Sequence, residues 1–262
     1  MEHKTIVSER GPVHYWIKGQ AGNCLLFTHG ATMDHGMFLS QVEHFAKNYK
    51  VIVWDVPAHG LSRPYRDFSM PIAAREIVNI LNAEAIEKAH LIGQSMGGYI
   101  IQLVALEFPE RVSSLTALGS SPIQPDYYSG LDNWLLSITP ALLRLYPYGY
   151  LIRIIAEQIA IRKEAQTYAH ETLKGLTKNE IVAIMGAVYG GLQQISREMR
   201  LNLPVLVSYG EFDKTGKVKS YCDEWVRREG RPLKIVPDAA HNANMDNPDA
   251  FNQILEEFLA GL

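Results

Sequence analysis

The stretch Leu91-Ile92-Gly93-Gln94-Ser95-Met96-Gly97-Gly98 decides how this chain is read. It centres a serine in Gly-x-Ser-x-Gly, directly after the apolar run Ala89 to Ile92 and directly before a helix-like run from Met96 to Phe108. A strand, a very tight turn and a helix, in that order, are the context a nucleophile elbow requires. The Ser95 backbone must then be strained so that its hydroxyl stands clear of the sheet. Side chains at Gly93 and Gly97 would collide as the chain reverses. The Met96 amide falls at a helix N-terminus, where it can face a developing oxyanion. On this stretch alone the plainer alternative is a Gly-rich strand-to-helix turn. No Lys follows the glycines and Gly-x-Gly-x-x-Gly does not occur, so two nucleotide-binding readings fail.

Working outward, residues 4–9 and 12–18 alternate loosely about Arg10-Gly11 and read as an antiparallel hairpin. Cys24 to Thr28, Val51 to Asp55 and the elbow strand are short apolar runs that fit strands buried on both faces. Val112 to Leu118, Pro204 to Tyr209 and Leu233 to Val236 complete eight strands. Helices are expected over Met37 to Asn48, from an N-cap at Ser69 to Asn82, over Met96 to Phe108, over Tyr221 to Arg228 and over Pro248 to Leu259. Strand and helix alternate, which implies an α/β fold with a mostly parallel eight-stranded sheet covered by helices on both faces. Residues 121–197 interrupt the alternation. They are helix-like and apolar, with Trp134, Leu135, Leu136, Leu142, Leu143, Leu145, Tyr146, Tyr148 and Tyr150. We read them as an inserted helical cap over the C-terminal edge of the sheet, where open α/β sheets place ligand sites. The core is then 1–120 and 198–262. Ordinary core helices are the alternative reading.

The 262 residues are 47% hydrophobic and 20% charged, with net charge −3, which is ordinary for a soluble globular protein. No Lys/Arg-rich run points to nucleic acid or an anionic membrane. The two cysteines, Cys24 and Cys222, sit in a strand-like and a helix-like segment and are expected as buried free thiols. The N-terminal Met-Glu-His-Lys-Thr lacks a basic-then-apolar layout and no apolar stretch is long enough to span a bilayer, so a cytoplasmic protein is expected.

A serine hydroxyl needs a base within hydrogen-bond reach, and the base needs an orienting carboxylate. Of nine histidines, His241 lies in the loop just after the last strand, on the sheet edge where the elbow opens. Asp213, in Tyr209-Gly210-Glu211-Phe212-Asp213, follows the preceding strand. The order Ser, Asp, His is the one seen when a nucleophile elbow is used. Glu211 and Asp238 are fallback acids, weaker because Glu211 is nearer the strand and Asp238 is close to His241 along the same segment. Against this reading, a loop histidine is usually just solvated and Asp213 could merely cap a turn.

With these residues in place, the chain resembles the α/β-hydrolase superfamily, in the cap-bearing branch with esterases, enol-lactonases, cofactor-independent haloperoxidases and C–C bond hydrolases. The resemblance runs from about Thr5 to the C-terminus. It rests on His29-Gly30-Ala31, Asp55-Val56-Pro57-Ala58-His59-Gly60-Leu61-Ser62, Gly93 to Gly98, Asp213 and His241. It implies that the Ala31 amide joins that of Met96 in an oxyanion hole, and that His29 and His59 hold loops. Ala58 stands where relatives often have Gly, a departure touching loop conformation. Ser95 in place of Asp disfavours epoxide hydrolysis and hydrolytic dehalogenation. The run His-Gly-Ala-Thr-Met-Asp-His-Gly lacks the Gly-Pro-Gly of many C–C hydrolases. The expectation is therefore a serine esterase or lactonase acting on a small, largely apolar ester-type substrate. It needs no metal or organic cofactor, has no nucleic-acid or membrane partner, and is a monomer or homodimer. C–C hydrolysis, acyl transfer, or a hydrolase-derived small-molecule-binding protein are the rivals. Arg144 and Arg153 are cap cations for a substrate carboxylate, or else solvated helix faces.

Overall fold

A computed structural model describes residues 1–20, 22–193 and 200–262. The alternating hairpin and the apolar runs form eight strands, β1 (Glu2–Ser8), β2 (Gly11–Lys18), β3 (Cys24–Thr28), β4 (Lys50–Trp54), β5 (Ala89–Gln94), β6 (Val112–Leu118), β7 (Val205–Gly210) and β8 (Leu233–Val236). They make one sheet in the order β1-β2-β4-β3-β5-β6-β7-β8. The β1–β2 and β2–β4 pairs are antiparallel and every later pair is parallel. The fold class expected from the sequence is the one observed.

Central strands bury both faces, and the period of two sorts their side chains. Leu26, Ile52, Trp54, Leu91 and Leu115 join one apolar cluster with helices α2 (Met70–Ala83), α3 (Met96–Glu107) and α8 (Val218–Glu229). Leu25, Phe27, Val51, Val53 and Ile92 join a second with α1 (Leu39–Phe45) and α10 (Pro248–Ala260). The connection leaving β3 through α1 and the one leaving β5 through α3 therefore run on opposite faces. Adjacent strands whose connections diverge open a crevice at their C-terminal ends. Thr28 and Gly93 are in register there, so the chain after β3 and the chain after β5 emerge side by side.

Local signals set most boundaries. The Ser69 hydroxyl accepts the Ile72 N–H at 3.4 Å and starts α2. The helix expected over 37–48 is divided. Asp34 caps a 3-10 turn over His35–Phe38 by accepting the Gly36 N–H, and α1 then stops at Phe45, whose carbonyl takes the N–H of both Asn48 and Tyr49. Cys24 and Cys222 are buried free thiols, as expected.

Between β6 and β7 lie α4 (Gly130–Leu143), α5 (Tyr148–Ile159), α6 (Lys163–Lys174) and α7 (Lys178–Gln193). Helix α4 packs on α7 and α5 on α6. The end of the interval, residues 194–197, lies outside the described residues. Its apolar character does not translate into uniform burial. Trp134 is 57% and Leu145 78% exposed, and Leu135, Leu142, Tyr146 and Tyr150 are also exposed. The buried residue of α4 is instead Asp132, which closes a capping box with Ser129 and accepts Lys217 Nζ at 2.7 Å. Among the described residues no helix is long and apolar enough to cross a membrane.

A Cβ at position 97 would overlap the Thr28 carbonyl oxygen, whereas one at position 130 meets nothing within 4 Å. Gly97→Ala is expected to lower the unfolding free energy by about 1–3 kcal/mol. Gly130→Ala should stay within roughly 0.5 kcal/mol of the parent. Urea titration of both variants checks the contrast.

Candidate active site

Ser95 follows the last residue of β5 and caps α3 with φ 51° and ψ −117°. A non-glycine residue there is strained and must be held by its surroundings. Three contacts do so. The Ser95 N–H donates to the Leu118 carbonyl at 2.9 Å, tying the turn to the end of β6. Its carbonyl takes the Gly98 N–H, also at 2.9 Å. The third is steric, since a Cβ on Gly93 would overlap the Gly97 carbonyl. Met96 is the first residue of α3, where a backbone N–H has no acceptor within its own helix.

His241 and Asp213 come together as the spacing predicts. The imidazole Nδ1 lies 2.8 Å from Asp213 Oδ2, both residues being about 5% exposed. The other carboxylate oxygen accepts the Thr215 N–H at 2.8 Å. Burial works to raise the Asp213 pKa, but the facing His241 and the hydrogen bonds from His241 and Thr215 outweigh it and hold the carboxyl below the usual range. The fallback acids go elsewhere. Glu211 is exposed and accepts the Asp238 N–H, and Asp238 is itself exposed with φ 50°.

The ring of His241 is brought to the serine turn across Gly119. A Cβ on Gly119 would lie 3.2 Å from His241 Nδ1, while Gly119 follows Leu118, the acceptor of the Ser95 N–H. Among the described residues no hydrogen bond joins the Ser95 hydroxyl to the imidazole, a contact that commonly tightens only when substrate is bound.

The loop after β3 forms the other wall. Ala31 is half-buried beside Gly30, and a Cβ on Gly30 would stand 3.3 Å from Ser95 Cβ. Thr32 has φ 65°, a strained value for a β-branched residue, and its hydroxyl donates to the Ala31 carbonyl at 2.6 Å. Buried side chains anchor this loop. His29 donates from Nδ1 to the Gly30 carbonyl and accepts the Val56 N–H on Nε2. Asp55 takes the His35 N–H and Nδ1 on one oxygen and the Leu61 N–H on the other. His59 donates to the Pro57 carbonyl, leaving a buried Nε2 without a partner. The loop-holding roles expected of His29 and His59 match these bonds.

Asp34, His35 and Asp55 gather one ligand-type atom each within 4.8 Å, the arrangement among the described residues that could hold a metal ion. Three of its four carboxylate oxygens already serve the protein, since Asp34 Oδ1 accepts Gly36 N–H and Tyr168 O–H while both Asp55 oxygens are taken. A cavity of about 390 Å³ adjoins this cluster, lined also by Arg63, Glu171 and Thr172, and neither Ser95 nor His241 reaches it.

Three contacts here were not foreseen from the sequence. Gln94 donates from Nε2 to the His241 carbonyl at 3.1 Å. Tyr168 on α6 donates to Asp34 at 2.5 Å. Asp246 accepts the Ala240 N–H at 2.8 Å. Only Gln94 carried a signal, as the variable residue before the elbow serine.

The α/β hydrolase fold family matches residues 23–147. A protein of Azorhizobium caulinodans named "Putative carbamate hydrolase RutD" is 30% identical over 258 residues, covering 94% of either chain. A pimeloyl-[acyl-carrier protein] methyl ester esterase of Pectobacterium carotovorum is 29% identical over 257 residues, covering 91% of this chain and 95% of its own. The crystal structure of a hydrolase from Pseudomonas aeruginosa superposes with a TM-score of 0.83 at 18% identity, covering 98% of both chains. The chain belongs to the α/β-hydrolase superfamily.

The buried histidines give the site region a defined acid response. Burial lowers the pKa of His29, and burial together with the neighbouring His29 lowers that of His59 to about 3. In the unfolded chain such rings take up protons near pH 6.5. Their folded-state pKa values being depressed, the stability they contribute is complete above about pH 6.5 and is lost as pH falls toward the folded values. Asp55 and Asp213, also depressed, add a loss below about pH 4. The urea midpoint is expected to fall between pH 7.5 and pH 5. A midpoint constant over that interval would contradict neutral burial of these rings.

Proposed function

We propose that this protein is a serine hydrolase that cleaves a carboxylic ester or lactone of a small, largely apolar substrate through an acyl-enzyme. The enzyme is a hydrolase of the esterase and lactonase kind. The observation that carries the finer reading is the 2.8 Å bond between buried His241 and Asp213, beside a serine held at φ 51° at a helix N-terminus. Its relatives named as a methyl ester esterase and a carbamate hydrolase point the same way, since both names denote attack at an acyl carbon bonded to a heteroatom.

In this mechanism Ser95 Oγ attacks the substrate carbonyl carbon while His241 Nε2 takes its proton. Asp213 keeps the Nδ1–H tautomer and stabilises the imidazolium. The Ala31 and Met96 amides hold the tetrahedral oxyanion, each worth on the order of 10²–10³ in rate. Collapse expels the alcohol, protonated by His241. Water, deprotonated by the same ring, then attacks the acyl carbon and frees Ser95. Helices α4–α7 form the cap, and their contacts reach the loops of the C-terminal edge: Tyr168 to Asp34, and Arg63 Nη1 to the Gly175 carbonyl at 2.9 Å.

The test is hydrolysis of p-nitrophenyl esters of increasing acyl length. Ser95→Ala should lower kcat by on the order of 10⁵–10⁶ with the fold intact, and full retained activity would sink the assignment. Asp213→Asn should lower kcat about 10⁴-fold, whereas Glu211→Gln should leave it within twofold or so. Release of a mixed ester when a competing alcohol is added would turn the reading from hydrolysis to acyl transfer.

A further inference from the structure

The bonds around His241 are made by its neighbours as much as by its ring. Ala240 N–H donates to Asp246 Oδ2 at 2.8 Å. Asn242 N–H donates to the Ile159 carbonyl at 2.7 Å. The His241 carbonyl itself takes Gln94 Nε2. Three consecutive backbone units are thus pinned, and two of the pins lead to the strap between α5 and α6.

Asp246 is the joint. It ends the short helix α9 (Ala243–Asp246) and is 3% exposed. Besides Ala240 N–H it accepts Ile161 N–H at 3.0 and 3.1 Å and Arg162 N–H at 2.9 Å. Its acceptor capacity is met by backbone donors. Arg162 is the N-cap of α6 and makes no side-chain capping bond of its own. Asp246 therefore supplies, from elsewhere in the chain, acceptors at that helix end, to the N–H of the N-cap residue and of the residue before it. A cap for α6 would need only Ile161 and Arg162. The Ala240 bond joins that cap to the segment bearing His241.

We propose that Asp246 is a positioning residue. It locks the His241 backbone to the α5–α6 strap, so that the placement of the α4–α7 segment sets the distance from the imidazole to Ser95. The proposal rests on the serine hydrolase reading above. Proton transfer demands hydrogen-bond reach, and displacement of a reacting group by about 1 Å can lower the rate on the order of 10²-fold.

Asp246→Asn keeps the size but offers one acceptor oxygen, and its amide N–H₂ faces backbone donors. With p-nitrophenyl acetate, kcat is expected to fall about 10–100-fold with KM unchanged within threefold or so. Labelling of Ser95 by a fluorophosphonate should slow in parallel. The downfield proton NMR signal of the His241–Asp213 bond should shift or broaden. Arg162→Pro removes one of the two donors on the α6 side and leaves Ile161 N–H, in a backbone conformation (φ −76°) that proline adopts. It should give a smaller kcat loss, about 3–10-fold, while Arg162→Ala, which keeps the N–H, should match the parent. Arg162→Pro carries the test if Asp246→Asn does not fold. Unchanged kcat and an unchanged downfield signal in the folded variants, or a change confined to KM, would overturn the proposal. Ser95→Ala is assayed alongside. Turnover persisting there removes the hydrolase reading, while the NMR signal, which needs no turnover, still reports whether Asp246 positions His241.

Discussion

The chain reversal at Ser95 is the constraint on which the rest of the structure depends. Gly97 lies so close to the Thr28 carbonyl that no side chain fits between them, so α3 is pressed against the end of β3. The Ser95 N–H is given to Leu118, which fixes the turn to the end of β6. Three adjacent strands therefore finish at one place. The loops bearing Ala31, Ser95 and Gly119 converge because their strands are held in register, and the strain at φ 51° is sustained by that convergence.

A second physical theme runs along the same edge. Loops carry backbone N–H groups that must find acceptors when buried. Here the acceptors are buried side chains. His29 takes Val56 N–H, Asp55 takes those of His35 and Leu61, Asp213 that of Thr215, and Asp246 those of Ala240, Ile161 and Arg162. The bonds of His29 to Val56, of Asp55 to His35 and of Asp246 to Ile161 and Arg162 tie segments distant in sequence. The neutral state of His29 and His59 follows from the same burial, since an imidazolium there would be poorly solvated.

The elements that the sequence made legible are those governed by local rules. Short apolar runs gave the central strands, because a strand buried on both faces must be apolar throughout, and loose alternation about Arg10-Gly11 gave the hairpin β1–β2. Ser69 marked the start of α2, and the loop after β7 offered Asp213 at a distance from the strand that Glu211 lacks. The sequence was misleading where apolar content stood in for burial. In α4 the charged Asp132 is buried and Trp134 is exposed, since a capping box and Lys217 satisfy the former while α7 covers only one side of the helix.

What the sequence determined by itself is the order of strands and helices, the reversal at Gly93 to Gly97 and the chain order Ser95, Asp213, His241, because these follow from periodicity, glycine sterics and neighbouring residues. Tertiary structure alone decided that Gln94 holds the His241 carbonyl, and that Tyr168 and Asp246 bind the α4–α7 segment to the loops of the site. Those contacts join residues tens to hundreds of positions apart. No local preference of an Asp, a Gln or a Tyr specifies which distant backbone group it will meet once the sheet has closed the distance.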